Sequence, residues 1–171
     1  MWNQSWAWGG PSVMDAEIES LSRQIRSILE RVCACLEGLS EAQLNWRPPI
    51  DGANSVYVIA THTLGNARAF VLGIACGRPL ERDRPAEFRA SGRDAADLVA
   101  RARRLSDDIE AALAGLAPSD LDRRLLPPNS LWGEGEPQEI SVREAILHVV
   151  EHASIHLGQL QITRDSALRE S

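Results

Sequence analysis

Apolar residues return every three or four positions in four separate stretches of this chain. In the first, from about Asp15 to Leu39, Ile18, Leu21, Ile25, Ile28, Val32, Leu36 and Leu39 form one stripe, while Glu17, Glu19, Arg23, Arg26 and Arg31 fall off it. That spacing predicts an amphipathic α-helix with its apolar face turned inward. The second stretch opens near Asn54, a good N-cap, and carries Val56, Ile59, Ala60, Thr63, Ala67, Phe70, Val71 and Ile74 before Gly77 and Pro79 end it. The third runs from about Asp94 to Leu116, with Leu98, Ala102, Leu105, Ile109, Ala112 and Leu116 in register. The fourth starts on Ser141-Val142-Arg143-Glu144, which has capping-box form. Its core stripe is Val142, Ile146, Val149, Ala153, Leu157 and Leu160, and Ala145, His152, His156 and Gln159 line an adjacent stripe.

The connections contain turn and breaker residues. Ser40-Glu41-Ala42-Gln43 has capping-box form and predicts one short turn, which Pro48-Pro49 and Asp51-Gly52 stop. Residues 78 to 91 are charged and proline-containing and read as a loop. Residues 117 to 140 read as a long connection with room for a short hairpin, of the length that often carries function. No stretch alternates as a strand and none repeats. The expectation is an all-α four-helix bundle with long inter-helix loops over residues 15–165, a Trp-rich N-terminal tail at 1–14 and a C-terminal tail at 166–171. The loops permit either parallel or antiparallel neighbours.

Composition narrows the partners. The 171 residues carry a net charge of −6, and their basic residues are all arginine, so no cationic surface is available to displace counterions from nucleic acid. Three cysteines, Cys33, Cys35 and Cys76, have no framework spacing and read as reduced, packed thiols in a cytoplasmic protein. No apolar run reads as long enough to span a membrane, and the N-terminus has neither the basic start nor the apolar core of a signal peptide. Trp2, Trp6 and Trp8 suggest a tail that docks onto the bundle or a partner subunit, or an aromatic flap over a pocket.

The candidate chemistry lies in the histidines. Three of four fall at His148, His152 and His156. Each step of four on a helix turns a side chain only about 40° and lifts it about 6 Å. Neighbouring pairs can therefore reach one metal ion, and imidazole suits zinc, nickel, copper and iron alike. A third ligand must come from another helix, where His62 is the only histidine and borders the inward face beside Asn66. Three protein ligands leave a position open for water, as catalytic sites do. Spacing alone leaves the pair undecided. His148-Val149-Val150-Glu151-His152 also matches an H-x-x-E-H arrangement in which the glutamate acts as base. Glu151 is a candidate base, although it lies about 100° around the helix from His152.

His152-Ala153-Ser154-Ile155-His156-Leu157-Gly158-Gln159, closing a four-helix pattern with His62 upstream, resembles the DinB-like superfamily, including its YfiT-like branch. Leu44-Asn45-Trp46-Arg47-Pro48-Pro49 and Thr61-His62-Thr63-Leu64-Gly65-Asn66 support the likeness, which spans about residues 15 to 165. The resemblance implies one divalent metal held by His62, His152 and His156, and frequent homodimers. Characterised relatives include thiol-dependent transferases and isomerases that use low-molecular-weight thiols. The chain departs from many relatives at Leu157, where they carry arginine before the glycine, so a possible anion contact is missing.

The expectation is a metal-dependent enzyme, of thiol S-transferase or hydrolase type, acting on a small molecule through a metal-activated thiol or water. Zinc or nickel is expected first, and iron or copper after them. Asn66, His148 and Gln159 could orient a ligand or a bound water, or serve as packed and interhelical polar groups. The alternative is a non-catalytic, metal-stapled protein that binds a partner in a stress response.

Overall fold

The computed structural model describes residues 14 to 170, so the tryptophan-rich segment, apart from Met14, lies outside the described residues. Asp15 accepts from the Glu17 N–H and starts α1 (Ala16–Leu36), which buries Ile18, Ile25, Leu29, Val32 and Leu36. The expected box between Ser40 and Gln43 caps α2 (Glu41–Asn45). α3 (Val56–Ala67) starts from Ser55, one residue later than expected, because the Ser55 hydroxyl accepts from the Val58 N–H. It runs on directly as a wider π-helical segment, Arg68–Ala75.

α4 (Arg84–Phe88) lies within residues 78 to 91 and corrects their reading as plain loop. α5 (Ala96–Leu113) is followed by a 3₁₀ turn, Pro118–Asp122. β1 (Arg124–Leu125) and β2 (Ile140–Ser141) pair antiparallel, with Arg124 opposite Ser141 and Leu125 opposite Ile140. Ser141 and Glu144 form the capping box that opens α6 (Val142–Arg169), with the Ser141 N–H 2.6 Å from Glu144 Oε2. α6 therefore continues through residues 166 to 169, which the sequence reading set apart as a tail.

Contacts along the helices give their directions. Arg143, at the start of α6, bonds Glu17, at the start of α1, at 2.8 Å, so these two run parallel. Arg26 pairs with Glu110, and Arg103 lies 3.8 Å from Glu37, so α1 and α5 run antiparallel. Asn66 faces His148 and His62 faces His152, so α3 and α6 run antiparallel. The bundle is up, down, down, up. Because α3 and α5 are parallel, the chain between them must travel back along the bundle, and that crossover carries α4 against the side of α3.

The stretch Val56–Ala75 is long and apolar enough to cross a membrane, with mean hydropathy 1.2, contrary to the expectation that no run reaches that length. In the fold 89% of it is buried inside the bundle, and it packs against α4, α5 and α6. A helix covered on most sides is apolar around its whole circumference, which accounts for its composition.

Candidate metal centre

α3 and α6 bring three imidazoles together. Each of His62, His152 and His156 offers a ring nitrogen within 4.8 Å of the other two. The Nε2 atoms of His152 and His156 lie 3.2 Å apart, one helical turn along α6. His62 comes across from α3, and its ring centroid lies 5.1 Å and 5.0 Å from theirs. It is 5% exposed, whereas the other two are half-buried.

The hydrogen bonds decide which nitrogens converge. His156 Nδ1 is 2.7 Å from Gln159 Oε1, an acceptor, so the proton sits on Nδ1 and the Nε2 lone pair faces His152. His62 Nδ1 is 2.8 Å from Glu87 Oε2, so its Nε2 is left for the cluster. Burial, followed by the neighbouring rings of His156, His62 and His148 and by Arg82, pushes His152 down to about 3. Burial also lowers His156, partly offset by the Gln159 hydrogen bond. These two rings are neutral imidazoles at neutral pH, the form that binds a metal.

Behind His62 sits a buried ion pair. Arg82 grips Glu87 through two bonds, Nε to Oε1 at 2.8 Å and Nη2 to Oε2 at 2.9 Å. The Arg82 side chain is 4% exposed and the Glu87 side chain 10%. Burial pushes the Glu87 carboxyl up, but hydrogen bonds from His62 and Arg82 outweigh it and hold the group below the usual carboxylate range. Glu87 reaches His62 past Gly65, where an added Cβ would collide with its carboxylate. Phe88, beside Glu87 on α4, packs its ring 4.7 Å from His62.

The remaining sequence candidates fall around this cluster. His148 stacks on Phe70 of the π-helical segment at 4.0 Å, and its Nε2 lies 3.3 Å from Asn66 Nδ2, a donor. That lone pair is therefore occupied, and His148 lies outside the group of three. Gln159 orients His156. Glu151 is exposed and also lies outside the group. The long connection contributes Trp132, 5.8 Å from Phe70. All three cysteines are free, and burial pushes their thiols up, away from the reactive thiolate form. A cleft of about 460 Å³ lies by Thr61, Gly65, Arg82 and Glu87, but none of the three histidines lines it.

Glu87, Arg82 and Phe88 escaped the sequence reading. Two signals pointed to them. Asp83 followed by Pro85 is a helix start, and Asp83 indeed accepts from the Ala86 N–H. A glycine inside an apolar helix, Gly65, marks a close approach.

The donor set fits a divalent transition metal. The 3.2 Å gap between two Nε2 atoms is close to the edge, about 3.3 Å, of a tetrahedron with metal–nitrogen bonds of about 2.0–2.1 Å. Neutral imidazoles are ligands for zinc, nickel, copper and iron, and three of them leave a coordination position for another group.

The comparisons agree with this architecture. No curated protein matches the chain. A DinB-like protein, YjoA, from Bacillus subtilis has a similar crystal structure, with a TM-score of 0.59 and 19% identity over 88% of this chain and 90% of that one. At that identity the likeness concerns the fold. The family model of the DinB superfamily matches residues 24–160, and this chain belongs to that superfamily.

Proposed function

We propose that the protein binds one divalent transition metal, zinc or nickel foremost and iron or copper as alternatives, through His62, His152 and His156, and uses it on a small-molecule electrophile. The observation that carries this reading is the convergence of three ring nitrogens, with His152 and His156 held neutral by burial. When bound, the metal supplies Lewis acidity that brings a water or a low-molecular-weight thiol to reactivity near neutral pH. The three histidines bind, Gln159 orients His156, and the Phe88 ring packs against His62. A thiol S-transferase or a hydrolase fits this arrangement. Metal analysis of the purified protein, followed by a screen of thiol conjugation and ester hydrolysis on the metal-loaded form, tests it. Absence of turnover with every thiol and ester would favour the alternative, a metal-stapled binding protein, which the burial of His62 beneath Phe88 supports.

The reading extends to a homodimer in the cytoplasm. Leu147, Ile155 and Ile162 are exposed along one face of α6, and Gly158 on the same face has open space where a Cβ would stand. A glycine inside a helix costs about 1 kcal/mol relative to alanine. Close approach of a second copy offsets that cost. Unpaired cysteines accord with a reducing compartment.

A further inference from the structure

We propose that Glu87, locked by Arg82, is the positioning residue that makes His62 a metal ligand. This rests on the metal reading above. Neutral imidazole carries its proton on either nitrogen, and the nitrogen that keeps the proton cannot bind a metal. Glu87 Oε2 stands 2.8 Å from Nδ1 and can only accept, so the proton is drawn to Nδ1 and the Nε2 lone pair is presented to His152 and His156.

The carboxylate is itself immobilised. Both of its oxygens are engaged by the fork of Arg82, and Oε2 serves the imidazole and the guanidinium together. Arg82 Nη1 reaches the Leu131 carbonyl at 3.5 Å, which ties this clamp to the long connection before α6. A two-point arginine–carboxylate contact fixes direction as well as distance. The approach is also built into the partner helix, since Gly65 leaves room for the carboxylate one turn from His62.

A simpler role would be to pin α4 to α3. The ion pair joins two residues of the crossover and the Glu87–His62 bond is what crosses to α3, so both roles share that bond and are separated by the His62 tautomer and the zinc affinity of a variant that stays folded. The bond to His62 adds what an orienting carboxylate adds elsewhere: loss of such a group costs about 10- to 100-fold in metal affinity.

The test uses the full chain with zinc alone. Imidazole nitrogen NMR of the metal-free protein reads the His62 tautomer, and competition with a chromophoric chelator reads zinc affinity. Glu87→Gln keeps the shape and removes the charge. Because a lone buried Arg82 could unfold the protein, a second variant, Glu87→Leu with Arg82→Met, removes both charges together, a replacement that buried pairs often tolerate. The expected result is a Nδ1–H tautomer in the wild type, a mixture of tautomers in the double variant, and a 10- to 100-fold loss of zinc affinity in that variant. Unchanged tautomer and unchanged affinity in a folded double variant overturn the proposal. If the wild type binds no zinc, the metal reading fails by itself. The tautomer measurement then decides the clamp alone, and a Nε2–H wild type sinks it.

Discussion

His156 Nε2 faces His152 Nε2 at 3.2 Å, and only one of the two can carry a proton. Gln159 holds the His156 proton on Nδ1, so in the metal-free protein His152 is the donor, and its own Nδ1 is buried without a hydrogen-bond partner among the described residues. Were both Nε2 lone pairs to hold a metal, His152 would have to carry its proton on Nδ1. Of the three candidate ligands, His152 is thus the one with no orienting group among the described residues, whereas Glu87 serves His62 and Gln159 serves His156.

His152→Ala and His156→Ala are each expected to abolish stoichiometric metal binding, and His148→Ala to leave it within a few-fold of wild type. The reason is that His148 Nε2 is engaged by Asn66. Equilibrium dialysis with zinc reads all three. If His148→Ala lost the metal while His156→Ala kept it, the alternative pair with Glu151 would be the right one.

Acid is expected to destabilise the metal-free protein before it reaches the carboxylates. Burial, followed by the neighbouring imidazoles and Arg82, pushes His152 down to about 3, and burial holds His156 and His148 below their usual range. Between about pH 6.5 and 3 the unfolded chain therefore binds protons that the folded chain refuses, and stability falls as pH falls through that window. The contribution is complete above the unfolded value. Each ring adds at most about 1.4 kcal/mol per pH unit. Calorimetric melting from about pH 7.5 to 4.5 should show the slope, and His152→Leu should flatten it. A wild-type profile without slope would falsify the prediction.

Gly65→Ala sets two effects against each other. Helix propensity alone favours alanine by about 1 kcal/mol. The added methyl, however, meets a Glu87 carboxylate that His62 and Arg82 hold in place. Overpacking of a site that cannot shift costs about 1–3 kcal/mol. The expectation is a net loss in urea unfolding together with weaker zinc binding; a stabilised variant with intact zinc affinity would show that Glu87 yields freely.

Ile155→Glu tests the exposed face of α6. Ile155 is 56% exposed, so a charge there costs the isolated chain little. Sedimentation velocity is expected to show a dimer for wild type and a monomer for the variant, with little change in zinc binding. A wild-type monomer at high concentration ends the dimer reading.

The stripes of α1, α5 and α6 were readable because each helix has one wet face: Ile18, Ile25, Val32 and Leu36, or Leu98, Ala102, Leu105 and Ile109, are buried as their spacing requires. The capping boxes at Ser40 and Ser141 were readable for a local reason, since a hydroxyl and an acceptor three residues on satisfy each other's backbone. The π-helical turn after α3 left no trace, because a segment buried on nearly all sides has no polar face to reveal a change of pitch. His62 could be guessed from the scarcity of histidine. Glu87 was signalled only as part of a helix start after Asp83, and its meeting with His62 was not, because that depends on the path of the crossover, which follows from α3 and α5 being parallel. Phe70 and Asn66, both on the opposing helix, single out His148 as a packed group and leave His152 and His156 as the candidate pair beside His62.

Pairing α3 with α6 also dictates when the site can exist. During synthesis, His62 leaves the ribosome within an apolar segment that has no α6 to lie against, and it meets its two partners only after the chain through His156 has emerged. A metal could not be captured by three ligands at any earlier moment. Loading would follow the docking of α6, and a bound ion would then close a loop from His62 to His152 that takes in the whole of α5, where a cross-link restrains the unfolded chain strongly. Metal supply would act on the yield of folded protein as well as on its chemistry.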